Sequence, residues 1–151
     1  MDPTLAVDGV AHNIQLAVAP VFLLAGIGSI LNVMTARLGR AVDRARRLES
    51  EIPGYPSARR GDALKELRIL DTRMRAANRA LLLCTSSALL VCVVVALLFI
   101  GDLFPVRAPA VVATLFILAM VLLIAGLAVF LYEVQIALRG VQRRAEEMTE
   151  R

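Results

Sequence analysis

An all-α integral membrane protein is the architecture this sequence predicts. It would have three transmembrane helices, and their helical cytoplasmic extensions would form a stalk. Three observations lead there. First, apolar runs cover about 14–34, 80–100 and 109–131, each at least 20 residues long. At a helical rise of 1.5 Å per residue, that length crosses a hydrocarbon core of roughly 30 Å. Second, of the 17 Lys and Arg residues, 12 lie between the first two runs and four follow the third, leaving only Arg107 elsewhere. Third, the mean hydropathy is +0.71 over 151 residues, too high for a soluble domain whose helices keep a polar face. The chain is expected to be a single membrane domain, 1–151.

The charge asymmetry also predicts an orientation. Twelve cations at positions 37–79 face six carboxylates there, whereas the segment before the first run carries Asp2 and Asp8 and no cation. Short Lys- and Arg-rich loops stay in the cytoplasm. The 35–79 loop and the C-terminal tail are therefore expected inside, with the N-terminus and the 101–108 loop outside. The expected location is a cell inner membrane, multi-pass. No basic segment precedes the first run and no cleavage site ends it, so that run reads as a retained anchor.

The first span continues as a helix past Met34. Leu31, Met34, Leu38, Val42, Ala45, Leu48 and Ile52 form an apolar stripe close to heptad spacing. Pro53-Gly54-Tyr55-Pro56 then breaks it, because proline lacks an amide donor and glycine frees the backbone. The stretch to Gly61 reads as a turn, with Asp62 as the N-cap of the next helix. From there Leu64, Leu67, Leu70, Met74, Ala77 and Leu81 run into span two without a breaker. These two segments make a cytoplasmic helical hairpin over about 35–79. Beyond span three, Val134, Leu138, Val141, Ala145 and Met148 extend the stripe as a C-terminal helix over about 132–149. Pairs at i,i+4, Asp43–Arg47 and Asp71–Arg75, would each support these helices by a few tenths of a kcal/mol.

Three segments carry a family resemblance: IQLAVAPVFLLAGIGSILNVMTARLGRAVDRARRLE, SSALLVCVVVALLFIGDLF and FLYEVQIALR. Together they resemble the bacterial membrane proteins grouped as domain of unknown function 2721. The similarity covers roughly 14–144, and the first block is its most distinctive part. It implies a multi-span helical membrane protein. It carries over no catalytic or binding residue.

Polar groups inside a bilayer are the first place to look for function, since each is costly unless paired or wet. Gln15, Gly26, Ser29, Arg37, Arg40 and Arg44 follow one track along the first helix, and Asn32 lies on a neighbouring one. Around an oligomer axis they would line a pore with a polar upper part and Arg rings below. Helix packing explains them more simply. Small residues at Ala25–Ser29 and Gly28–Asn32 allow close backbone approach, Asn bonds across interfaces, and Arg at the inner boundary follows the topology rule. In span two, Thr85, Ala88, Cys92 and Ala96 form a small-residue face of the same kind. Glu133, at the inner end of span three, is expected to pair with an Arg of the basic loop.

No enzymatic signature is present. The chain lacks GxSxG, HExxH, a P-loop and CxxCH, so no enzyme activity and no cofactor are expected. Cys84 and Cys92 have no metal-ligand spacing, and His12 with Asp8 is a weak signal, so no metal is expected. The basic loop lacks interleaved aromatics, which disfavours nucleic acid, and anionic lipid headgroups are the nearer partner. The reading is an oligomerising structural or accessory subunit; the alternative is a homo-oligomeric ion channel or transporter lined by the first helix.

Overall fold

A computed structural model of the chain describes the backbone over residues 3–103 and 109–149, and side-chain surroundings over 14–100 and 109–137. Three long helices account for nearly all of it: α1 (Pro3–Glu51), α2 (Ser57–Leu103) and α3 (Pro109–Thr149). Each is long and apolar enough to cross a membrane. Among the described residues there is no strand. The connection around Arg107, the Asp8–His12 segment and the far end of the C-terminal stripe (Leu138, Val141, Ala145, Met148) lie outside the residues whose side chains are described.

The break between α1 and α2 is tighter than the sequence predicts. A 3-10 turn, Ile52–Gly54, follows α1 directly, and the Tyr55 amide donates to the Ile52 carbonyl at 3.1 Å. α2 then starts at Ser57, not at Asp62. The amides of Arg59 and Arg60 both donate to the Pro56 carbonyl, at 3.0 and 3.1 Å. Pro56 thus starts the helix by offering a carbonyl to the first turn, and Gly61 is absorbed within it. Asp62, inside the helix, pairs with Lys65 at 3.1 Å instead of capping. Of the two i,i+4 pairs expected, Asp71–Arg75 forms. Asp43–Arg47 does not, and Asp43 has no ion-pair partner among the described residues.

The chain divides into two compact units, to which all three helices contribute. One joins the chain up to Leu31 with Leu83–Ile124. Its large apolar side chains point outward: Phe22 is 75% exposed, and Leu89, Ile117 and Ile124 are similarly open. A water-soluble bundle would bury them, so this inside-out arrangement suits a hydrocarbon solvent. Its interior holds small or slender residues with no exposed surface, Cys84, Ser87, Val91 and Ala119, beside the larger Ile27 and Leu123. Ser87 Oγ donates across to the Ala119 carbonyl at 2.7 Å, which ties α2 to α3. The buried face of α2 is therefore the one beside that predicted from small residues. Thr85, Cys92 and Ala96 are exposed, and Ala88 is half-buried.

The other unit joins Asn32–Leu82 with the chain from Ala125. Here the predicted stripes form the core. Ala45 and Leu48 from α1 pack with Ala63 and Leu70 from α2, with Ile52, Tyr55, Leu67 and Met74 around them. Leu64 is exposed and Ala63 takes its place. Ala63 continues the alternating four- and three-residue spacing of Leu67, Leu70, Met74 and Ala77, whereas Leu64 falls one residue, about 100°, off that stripe.

Candidate functional site

The most chemically distinctive constellation is built around Glu133 of α3. The residue is 3% exposed, which is rare for a carboxylate unless it is paired. α2 supplies the main partner. Arg73 donates from Nε and Nη2 to Glu133 Oε1, at 3.1 and 3.0 Å. α1 supplies the second, with Arg37 Nη2 lying 3.5 Å from Oε2. That oxygen makes an ion pair but no hydrogen bond within the described chain. The Arg37 guanidinium also sits over the Phe130 ring, 5.4 Å from its centroid. Phe130 and Glu133 are one turn apart on α3, so together they hold Arg37 from two sides.

The electrostatics follow from burial. A carboxylate moved out of water loses several kcal/mol of solvation, and two guanidiniums that keep 24% and 29% of their side-chain surface exposed restore much of it. Both arginines hold one end of their charge in solvent while the acid is sealed. The cluster binds all three helices at one level. Its charges are paired with one another, and none of them is a free nucleophile or a base aimed into a cavity.

The remaining predicted site residues behave differently. Gln15, Gly26, Ser29, Asn32, Arg40 and Arg44 are all exposed on α1. Only Arg37 of the track turns inward. Ser29 Oγ donates back to the Ala25 carbonyl at 3.3 Å, so its hydroxyl is satisfied locally. Arg44 reaches α2 and pairs with Glu66, Nη2 to Oε1, at 3.0 Å. The Asn32 carboxamide has no hydrogen-bond partner among the described residues, although its backbone carbonyl accepts from Thr35 Oγ1 at 2.9 Å. Sequence reasoning missed Ser87 and Phe130. The signal for Phe130 was its position one turn before Glu133.

At the hairpin, Tyr55 donates its hydroxyl to Glu51, and the Arg59 guanidinium lies 5.0 Å from its ring centroid. The hydrogen bond to Glu51 holds the Tyr55 phenol above its ordinary range of ionisation. Within the apolar unit, an open cavity of about 360 Å³ is lined only by apolar side chains, including Leu16, Pro20, Leu98, Val112 and Phe116. It offers shape but no polar chemistry. Among the described residues, no three His, Cys, Asp or Glu side chains are grouped to hold a metal ion.

A protein-family model described as "Protein of unknown function (DUF2721)" matches residues 17–143. The chain belongs to this family. The matched segment contains the whole Glu133 cluster and, apart from Gln15, the polar track of α1. No match was found among curated proteins or among solved structures. As a member of DUF2721, this is a multi-pass helical membrane protein in which one buried acid binds three helices together.

Proposed function

We propose that this DUF2721 protein is a structural or accessory membrane subunit that assembles with itself or with a larger membrane complex. It is not an enzyme. In this reading it resides in a cell inner membrane, with its N-terminus outside and its basic extensions in the cytoplasm against anionic headgroups. The observation that carries the proposal is a division of labour among polar groups. The inward-turned ones, Glu133, Arg73, Arg37 and Ser87, are paired within the chain. The exposed Asn32 of α1, at the end of a membrane span, keeps a carboxamide with no partner among the described residues. A polar group facing hydrocarbon gains from a partner helix.

The test is the mass of the particle in nanodiscs and in several mild detergents. More than one copy per particle, or a stoichiometric partner that co-purifies, is expected. A strictly monomeric particle in every condition, with nothing bound, overturns the proposal.

A second reading is a homo-oligomeric channel or transporter lined by α1. It is favoured by the exposure of Gln15, Ser29 and Arg40, which leaves them free to border a shared path. Arg37, held by Glu133 and Phe130, would not contribute a ring to it. Ion flux in proteoliposomes separates the two readings. Flux that falls in Ser29→Leu and Arg40→Ala supports the channel. An intact oligomer with no flux under varied voltage, tension and pH excludes it.

A further inference from the structure

We propose that two copies of this chain pair in parallel through α1, across a face containing Asn32, Ala36, Arg40 and Asp43. The inference rests on the self-association reading above and names its partner and its surface.

The face is defined by what α1 buries. Met34 and Ala45 point into the core of the unit that joins Asn32–Leu82 with the chain from Ala125. At 100° per residue, the four named positions lie within about 50° of the opposite direction. All four are exposed. The small side chain of Ala36 lets a second helix approach closely. Gly39 lies beside the face and is not needed by the chain itself, since an added Cβ would meet nothing within 4 Å. Glycine in a helix costs roughly 0.5–1 kcal/mol relative to alanine. A close approach from outside the chain gives this position a purpose.

The polar groups on the face choose the occupant. Asn32 carries both a donor and an acceptor, so two copies related by a two-fold axis can satisfy each other. Arg40 and Asp43, one turn apart, have no ion-pair partner among the described residues. A face bearing one acid and one cation at neighbouring levels, neither paired among the described residues, is complementary to its own copy, and one two-fold operation makes two Arg40–Asp43 pairs. Lipid would satisfy neither Asn32 nor Asp43. Two copies inserted with the same orientation meet with their α1 helices parallel, as this pairing needs.

Full-length protein in nanodiscs and proteoliposomes provides the test, in a Cys92→Ser background with the buried Cys84 retained. Ala36→Cys should give a disulfide-linked dimer on mild oxidation, whereas Ile69→Cys, exposed on α2, should not. Asp43→Arg should weaken association by about tenfold, through loss of two pairs and new like-charge contacts. Adding Arg40→Asp to it restores the complementarity with signs exchanged and should recover most of that loss. If the particle holds several copies but Ala36→Cys fails to cross-link and Asp43→Arg changes nothing, the α1 pairing is wrong and self-association stands. If no particle holds more than one copy, both fail. A Asp43→Arg effect without rescue by Arg40→Asp also overturns the pairing.

Discussion

At the scale of single residues, burial decides which charges matter. Glu133 and Asp62 both pair with cations, at 3.0 and 3.1 Å, yet the first is sealed and the second is open to water. Glu133→Gln should destabilise the protein by about 2 kcal/mol, because Arg73 and Arg37 lose their shared anion but can still turn toward solvent. Asp62→Asn should cost under about 0.5 kcal/mol. Equilibrium unfolding in mixed micelles measures both, and equal effects would contradict the assignment. Tyr55 gives a pH prediction. Its neutral phenol donates to Glu51, and its ionisation is raised above the usual 10.0. The stabilisation from that bond is present below pH 10 and is lost as pH rises through the raised value. In a Tyr132→Phe background, ultraviolet titration of Tyr55 should show a late transition that Glu51→Gln moves back toward 10.

At the scale of elements, the hairpin and the spans follow different packing rules. In the hairpin, Leu48 is 2% exposed and packs against α2, as in a water-soluble coiled pair. Leu48→Ala should therefore cost about 3 kcal/mol and speed hydrogen exchange across the hairpin amides, with less change in the spans. In the apolar unit, α2 and α3 touch through residues without bulk. Ser87→Ala removes one inter-helix bond and should cost about 0.6 kcal/mol. Ser87→Leu should be much worse, because it puts a large side chain where Ala119 allows none. Both are readable by mixed-micelle unfolding. The existence of these elements was legible in the sequence, since apolar length and heptad stripes identify them. The start of α2 was not, because Ser57 and Asp62 are both good starting residues and only the Pro56 carbonyl chose between them. The packed face of α2 was not legible either. A span that is apolar all round carries no period that marks its inner side.

At the scale of the whole molecule, the sequence alone determined the class. Three runs of sufficient length, with cations gathered at one set of ends, dictate a helical multi-pass membrane protein, because hydrocarbon accepts only satisfied backbones and an unbroken apolar run of about 20 residues satisfies its own as a helix. The stripe of α1 from Leu31 to Ile52 likewise foretold its buried side. Tertiary structure decided which polar residues are internal and which are left over. Arg37, Arg40 and Arg44 are alike in sequence, spaced along one track. In the folded chain Arg37 turns to Glu133 and Phe130, Arg44 reaches Glu66, and Arg40 remains outward. The reason is physical. Composition and length set the transfer of a segment into a membrane, and these are sums over residues. The fate of one guanidinium depends on where another helix places its carboxylate, and only packing fixes that.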